Sequence, residues 1–285
     1  MICMVLLVLR FFESSSQVIT DSVRVENHYR TFHFTKPAGK TKGYNLVFIL
    51  HGSGGDGKLM MQPAAGLEKK SGEQPLFLVY PNGYKKYWNE CRKAATSEAN
   101  LQNINEEAFF DGMIRYFAER YGVNGRHFFA IGMSGGGHMT YKLALTMPGK
   151  CKGISAIVAN LPDSTNLDCA QAKKPVAVMI VNGTHDAVNP YNGGQMRVNG
   201  SSYGGVLSTD STFGYWAGLA GYKGQPRVEE LPNADTADEE TITRFTYKGK
   251  GKPEVTLLKV TGGKHFFPKD IDAFVESWNF FKRQL

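Results

Sequence analysis

Three side chains with complementary chemistry occur in the chain order serine, aspartate, histidine: Ser134, Asp186 and His265. A serine hydroxyl is a weak nucleophile until a base removes its proton, and an imidazole acts as that base when a carboxylate holds its other nitrogen. Residues 132–136 read Gly-Met-Ser-Gly-Gly, in which glycines two positions on either side of the serine permit a sharp turn between a strand and a helix. The residues therefore predict acyl transfer through a covalent intermediate, with Ser134 as nucleophile, His265 as base and Asp186 as its partner.

Other histidines and acids could in principle fill two of these roles. The alternatives are His51, His138 and His185 for the base, and Asp163 and Asp168 for the acid. His185 is expected to point away from its neighbour Asp186, and His138 follows Ser134 by one helical turn, where it would pack or face solvent. The order serine, aspartate, histidine favours Asp186 and His265 because each of them follows a predicted strand.

The elements that must position these groups are visible as short apolar runs. A strand is predicted over 128–131, followed after the turn by a helix whose apolar residues 139, 143 and 147 recur at helical spacing until Pro148. Further buried strands are predicted at 45–50, 75–81, 153–160, 175–181 and 254–260, together with a β stretch at 241–247 and an antiparallel hairpin at 22–35. Helices are predicted at 59–70, 105–121, 211–219 and 271–280. Because the carboxyl ends of parallel strands meet at one edge of a sheet, this pattern predicts an α/β fold with a mostly parallel sheet and one site at that edge.

The glycine-rich loop at 51–57 has three possible roles. As part of an acyl-transfer site, it would point the backbone N–H of Ser53, together with that of Gly135, at the developing oxyanion. As a phosphate cradle, 52–58 fits G-x-x-x-x-G-K, but Leu59 replaces the Ser or Thr that should bind magnesium. The third possibility is a purely structural loop. The oxyanion role is favoured, and His51 is expected to fix the backbone of this loop and is a candidate for substrate contact.

An aromatic loop follows the strand predicted at 75–81. Loops at the carboxyl ends of strands line the ligand crevice of such sheets, so Tyr84, Tyr87 and Trp88 are candidates for substrate contact. Trp88 could equally serve as a packing residue. The size of the pocket depends on how residues 82–100 and 187–210 pack.

The composition of the chain limits the classes of protein to which it can belong. The chain has 285 residues, 42% of them hydrophobic, and a formal charge of +7, without any block of five or more like charges. This indicates a globular protein with a generally basic surface, and nucleic acid is not an expected partner. The apolar run at 2–9 is too short to span a bilayer, so stable membrane insertion is not expected.

The amino-terminal run is interpreted as part of a signal peptide over 1–17, which makes 18–285 a single catalytic domain of a secreted or periplasmic protein. A mis-assigned start or a small buried strand are the alternatives, because no Lys or Arg precedes the run. Export would leave Cys91, Cys151 and Cys169, and Cys151–Cys169 is the expected disulfide because these two are close in sequence. No Cys and His spacing predicts zinc.

Four motifs resemble those of the esterase family that includes polyhydroxybutyrate depolymerases, feruloyl esterases and acetylxylan esterases. They are His-Gly-Ser-Gly-Gly at 51–55, Gly-Met-Ser-Gly-Gly-Gly-His-Met at 132–139, Asn-Gly-Thr-His-Asp at 182–186 and Gly-Gly-Lys-His-Phe-Phe-Pro at 262–268. The resemblance covers nearly the whole chain and implies an α/β-hydrolase fold, a Ser134, Asp186 and His265 triad, and no cofactor. The chain departs from the usual motifs at Gly135, Asn182, His185 and Phe267, where the family usually has asparagine, histidine, alanine and tryptophan, which leaves substrate preference open.

The resemblance further implies a secreted hydrolase that cleaves feruloyl or acetyl esters of plant cell-wall polysaccharide. A poly(3-hydroxybutyrate) depolymerase is the alternative within the same class. Two interpretations of other classes remain: a nucleotide-binding protein using the loop at 52–58, and a carbohydrate-binding member of the fold without catalytic activity.

Overall fold

The structure is a computed structural model that describes residues 17–37, 43–198 and 200–285. These residues form a ten-stranded sheet, a separate two-stranded hairpin and seven helices. The strands are β1 Val18–Val25, β2 His28–Thr35, β3 Tyr44–Leu50, β4 Leu76–Pro81, β5 Val123–Met133, β6 Cys151–Ile157, β7 Ala177–Gly183, β8 Gly194–Val198, β9 Ser201–Val206, β10 Arg227–Glu230, β11 Thr241–Tyr247 and β12 Val255–Thr261. The helices are α1 Gly57–Met61, α2 Ala65–Ser71, α3 Glu98–Leu101, α4 Glu106–Tyr121, α5 Gly135–Thr146, α6 Thr209–Leu219 and α7 Ala273–Lys282.

The large sheet has the order β1-β2-β4-β3-β5-β6-β7-β12-β11-β10. Its central strands from β4 to β12 run parallel, and antiparallel pairs extend both edges. The predicted α/β fold with a mostly parallel sheet is confirmed, as is the hairpin at 22–35, which is β1 and β2. The loops after β3, β5, β7 and β12 all emerge at the same edge of the sheet, and each carries one of the predicted site motifs.

Apolar side chains cover both faces of the central sheet. All seven residues of β3 are buried, and Phe48 packs in one core cluster while its neighbour Ile49 packs in the other. Successive side chains of a strand point to opposite faces, so a continuous apolar run is what a strand covered on both sides requires. The helices that cover the two faces bring Trp216 to one cluster and Trp278 to the other. The sheet is thereby a rigid support for the loops at its edge.

Both ends of α4 follow local sequence signals. The Asn105 side chain accepts the N–H of Ala108 at the start of α4, and Gly122 ends the helix with a φ of 66°. The single helix predicted over 59–70 is wrong, because the chain forms α1 and α2 instead. Pro63 lies between them and has no N–H with which to continue the first helix. The hairpin of β8 and β9, strand β10 and the short helix α3 were not predicted.

The disulfide joins Cys91 to Cys169, with Cα atoms 5.0 Å apart, so the expected pairing of Cys151 with Cys169 is wrong. Cys151 begins β6 and its thiol is buried in the core. The loops of the two bonded cysteines are joined by further hydrogen bonds, including Lys93 N–H to the Asn166 carbonyl at 2.7 Å. Pairing therefore follows the packing of two loops 78 residues apart.

The signal peptide expected over 1–17 lies outside the described residues except for Gln17. Among the residues that are described, no helix has the length and apolar character needed to cross a bilayer.

Candidate active site

Ser134 occupies a strained turn between β5 and α5. Its backbone has φ 53° and ψ −118°, a conformation that L-residues rarely adopt. The turn is possible because a Cβ atom at Gly132 would lie 2.1 Å from the Gly136 carbonyl oxygen, and one at Gly136 would lie 2.4 Å from the carbonyl oxygen of Leu50. Glycine at both positions lets β5, α5 and the end of β3 approach closely, which exposes the Ser134 hydroxyl at the sheet edge.

The structure brings Ser134, His265 and Asp186 into one hydrogen-bonded chain. His265 Nε2 lies 2.9 Å from Ser134 Oγ, and His265 Nδ1 lies 2.7 Å from Asp186 Oδ2. Because a carboxylate oxygen only accepts, Nδ1 carries the hydrogen and Nε2 is free to accept the serine proton. The Asp186 side chain is only 1% exposed, and its Oδ1 accepts the N–H groups of Val188 at 2.8 Å and Asn189 at 2.7 Å. This holds the carboxylate in one orientation toward His265.

The competing residues lie elsewhere. His185 and Asp168 are exposed, and the Asp163 carboxylate accepts hydrogen bonds from Thr165 and Asn166 in its own loop. His138 is buried beneath the site, where desolvation, with smaller contributions from Arg92 and His265, holds its pKa well below the usual 6.5. Among the described residues, none of these side chains is hydrogen-bonded to Ser134 Oγ, whose side-chain partner is His265.

Two backbone N–H groups close to the serine belong to Ser53, in the glycine loop, and to Gly135, the next residue in the chain. Ser53 and Gly135 are in contact: a Cβ atom built at Gly135 would lie 3.0 Å from Ser53 N. Among the described residues, neither N–H has an acceptor, and Gly135 is the first residue of α5, where helical N–H groups are unsatisfied. These are the two predicted oxyanion donors, and their arrangement could stabilise a negative oxygen bound to Ser134.

Three other N–H groups of the same loop have acceptors within the protein. Gly54 N–H donates to the Lys86 carbonyl at 2.9 Å and Gly55 N–H to the Gly52 carbonyl at 3.0 Å. The N–H of Gly57 donates to Asn82 Oδ1 at 2.7 Å. These three N–H groups are already used within the protein and are not available to a phosphate, which argues against the interpretation of 52–58 as a nucleotide site.

His51 and Trp88 lie behind the site, with exposures of 1% and 3%. His51 Nε2 accepts the Gly83 N–H at 2.9 Å, its Nδ1 donates to the Gly52 carbonyl at 2.7 Å, and the Trp88 indole donates to the His51 carbonyl at 2.9 Å. The expectation that His51 contacts substrate is therefore corrected, since its ring is enclosed by protein. Trp88 also lines a small cavity with Ser53 and Gly135, so its contact with substrate stays a prediction. Both residues fix the backbone of the glycine loop, which is the other role considered for His51.

A cleft of about 540 Å³ opens over Ser134 and His265. Tyr87 lines it as predicted, whereas the Tyr84 hydroxyl donates to Gln102 outside it. The other lining residues come from the glycine loop, the serine turn, the loop after β7, the β8 and β9 hairpin and the segment beside the disulfide: Gly52, Ser53, Arg92, Met133, Val188, Met196, Val198, Ser201 and Tyr203. Arg92, Met196 and Tyr203 carry no local sequence signal, because they reach the cleft only through the packing of distant loops.

Within the described ranges, no three His, Cys, Asp or Glu side chains are placed together to bind an ion.

No protein-family model matches the chain. It is 31% identical over 249 residues to probable feruloyl esterase C of Aspergillus clavatus, an alignment that covers 84% of this chain and 77% of that protein. It is 29% identical over 164 residues to feruloyl esterase C of Emericella nidulans, covering 56% of this chain and 55% of the relative. In this second alignment the chain spans about half the length of the relative.

Solved structures share the fold. Acetyl xylan esterase from Aspergillus awamori superposes with a TM-score of 0.60 and 17% identity, covering 93% of this chain and 99% of that chain. Esterase PE8 superposes with a TM-score of 0.51 and 16% identity, covering 87% and 96% of the two chains. At these identities the similarity concerns the architecture, and the predicted α/β-hydrolase fold is confirmed.

Proposed function

The chain belongs to the α/β-hydrolase esterase family that includes Aspergillus feruloyl esterase C, and we propose that it cleaves feruloyl or acetyl esters of plant cell-wall polysaccharide as a serine carboxylic ester hydrolase. The observation that carries this proposal is the hydrogen-bonded chain from Ser134 through His265 to Asp186. The feruloyl esterase relatives support the substrate class, and the cleft over Ser134 is large enough for an aromatic acyl group.

In the acylation step, His265 Nε2 removes the proton of Ser134 Oγ as this oxygen attacks the ester carbonyl carbon. The carbonyl oxygen becomes negative and accepts the N–H groups of Ser53 and Gly135, each of which contributes about 3 kcal/mol to stabilising the transition state. Asp186 holds the imidazole in the tautomer that can accept at Nε2 and stabilises the imidazolium that forms.

Collapse of the tetrahedral intermediate breaks the bond to the alcohol, and His265 gives its proton to the leaving oxygen. Water then takes the place of the alcohol, and His265 accepts its proton as it attacks the acyl-enzyme. Breakdown of the second tetrahedral intermediate releases the acid and restores the Ser134 hydroxyl.

Hydrolysis of methyl ferulate and p-nitrophenyl acetate by the wild type and by Ser134→Ala tests the proposal. We expect both activities in the wild type and their loss by several orders of magnitude in Ser134→Ala, with an unchanged melting temperature. The ratio between the two substrates separates a feruloyl esterase from an acetyl esterase. Turnover that survives the substitution, or a folded wild type that cleaves neither ester, would overturn the triad.

We further propose that residues 18–285 act as one catalytic domain that is exported after removal of 1–17. The Cys91–Cys169 disulfide supports this, because stable disulfides form mainly in oxidising compartments. Expression in the native host followed by amino-terminal sequencing of the protein recovered outside the cytosol tests both statements. An intact amino terminus on a protein retained in the cytosol would contradict export.

A further inference from the structure

We propose that Arg92 determines substrate specificity by donating a hydrogen bond to an oxygen on the aromatic ring of the acyl group. The substrate class is then a hydroxylated or methoxylated aromatic ester rather than an acetyl ester. This inference rests on the esterase function proposed above and concerns the part of the cleft beyond Ser134.

Arg92 is a buried cation in the wall of the cleft. Its side chain is 3% exposed and it lines the same cleft as Ser134 and His265. Its Nε and Nη2 atoms each lie 2.8 Å from Glu90 Oε1, and Glu90 Oε2 accepts the Arg92 backbone N–H at 3.0 Å. Glu90 thus balances the charge and fixes the plane of the guanidinium.

The remaining Nη1 atom has an unusually poor partner. It lies 2.8 Å from the sulfur of Met196, which is only a weak acceptor. Buried guanidinium donors are normally satisfied by oxygen, and the methionine side chain is flexible enough to move aside. Nη1 is therefore a charged donor in a cleft of a size that suits a substrate. An oxygen of a bound ligand would be a better acceptor for it than the Met196 sulfur.

The neighbouring residues select a flat, apolar group. The guanidinium carbon of Arg92 lies 5.4 Å from the centroid of the Tyr203 ring, and Tyr87 lines the same cleft. Met133 and Val198 add apolar surface. An aromatic ring can pack against these walls, while its ester end occupies the space beside Ser134 and its substituted end meets Arg92. An acetyl group has no oxygen besides its carbonyl oxygen, so it offers no acceptor to Arg92 Nη1 when its carbonyl lies beside Ser134.

The position of Arg92 is itself held firmly. Cys91 is bonded to Cys169, and Lys93 N–H donates to the Asn166 carbonyl at 2.7 Å. The hairpin of β8 and β9 supplies Met196 and Tyr203 from the other side. A donor fixed on both sides loses little conformational freedom when a ligand binds, which is what selective recognition requires.

The test compares esters that differ only in ring oxygens: methyl ferulate, methyl 4-hydroxycinnamate and methyl cinnamate. We expect wild-type kcat/KM for methyl ferulate to exceed that for methyl cinnamate by about tenfold or more. The paired substitution Glu90→Gln with Arg92→Gln removes both charges together, so that no buried carboxylate is left unpaired. It should abolish this preference mainly through KM, by lowering kcat/KM for methyl ferulate toward the value for methyl cinnamate.

Met196→Leu is the matched control, because it removes the sulfur and leaves Arg92 in place. It should retain the preference for methyl ferulate over methyl cinnamate.

Binding of ferulate and cinnamate to Ser134→Ala, measured by calorimetry, gives a readout that does not depend on turnover. It can be used if the paired variant fails to fold. Equal wild-type kcat/KM for methyl ferulate and methyl cinnamate, together with equal affinity of Ser134→Ala for ferulate and cinnamate, would overturn the role of Arg92. The esterase proposal would remain intact. Absence of all ester hydrolysis would instead refute the esterase proposal, and the binding preference would still decide the role of Arg92.

Discussion

The indole N–H of Trp88 donates a 2.9 Å hydrogen bond to the carbonyl oxygen of His51. That carbonyl immediately precedes the glycine loop that carries Ser53, and the two rings lie 4.9 Å apart. The loop after β4 therefore holds the loop after β3 in place, and the position of Ser53, the proposed oxyanion donor, depends on the buried residue Trp88.

Trp88→Phe tests this dependence, because it keeps an aromatic ring but removes the donor to His51. We expect kcat for ester hydrolysis to fall about tenfold with little change in KM, and the free energy of unfolding to fall by about 1 kcal/mol. Steady-state kinetics and denaturant titration measure the two effects. Tyr84→Phe, which removes a hydroxyl bonded to Gln102 outside the cleft, should leave kcat unchanged. Equal kinetics in wild type and Trp88→Phe would show that the loop needs no such support.

Asp186→Asn replaces the carboxylate that accepts from His265 Nδ1. The amide can present a donor to the imidazole and so favour the wrong tautomer, which should lower kcat by roughly three to four orders of magnitude. Asp168→Asn, at an exposed rival position, should retain full activity. The reverse result, with activity lost in Asp168→Asn and kept in Asp186→Asn, would assign the acid to the other loop.

Gly136→Ala should damage both stability and activity. The added Cβ would lie 2.4 Å from the carbonyl oxygen of Leu50 and 2.6 Å from that of His51, both backbone atoms that cannot rotate away. We expect a loss of about 1–3 kcal/mol in the free energy of unfolding, with reduced kcat. Gly214→Ala in α6 is the matched control, since its Cβ meets nothing within 4 Å and should stabilise the helix by up to about 1 kcal/mol. Similar melting temperatures for the two variants would argue against the close packing at the turn.

Cysteine mapping tests the disulfide. After unfolding without reductant, an alkylating agent should modify Cys151 but neither Cys91 nor Cys169, and a peptide containing both of the latter should be found by mass spectrometry. Replacing both bonded cysteines with serine should lower the free energy of unfolding by about 2–4 kcal/mol. Recovery of a peptide that links Cys151 to Cys169 would reverse the assignment.

Acid should destabilise the protein through buried histidines. Burial lowers the pKa of His51 and lowers that of His138 well below the usual 6.5, so the unfolded chain binds more protons than the folded one below that pH. The contribution of these histidines to the free energy of unfolding is then fully present above about pH 6.5. It declines as the pH falls toward their pKa values in the folded protein, by at most about 1.4 kcal/mol per pH unit for each histidine.

Denaturant titrations between pH 8 and pH 5 measure this slope. Neither ring nitrogen of His138 makes a hydrogen bond of normal geometry within the described residues, so His138→Met should keep stability at pH 8 and show a shallower decline. An unchanged slope in this variant would mean that other groups dominate acid sensitivity.

Much of this molecule could be predicted from local patterns. The strand at β5, the glycines around Ser134 and the helix α5 are signalled within about twenty residues, because close backbone approach admits only glycine and a doubly covered strand must be apolar. The order of Ser134, Asp186 and His265, each placed after a strand, favours them over the other histidines and acids, and the structure joins the three side chains by hydrogen bonds.

The walls of the cleft could not be predicted in this way. Cys91 meets Cys169 across 78 residues, and Arg92 meets Met196 across 104, with no periodicity or motif to mark either pair. His51 and Trp88 carry the residue types of a binding surface, yet packing buries both side chains. Local sequence patterns suffice for the parallel sheet and for the placement of reactive groups at its edge, since backbone sterics and strand burial act locally. The side chains that line the cleft follow from the packing of the loops, which depends on contacts between residues far apart in the chain.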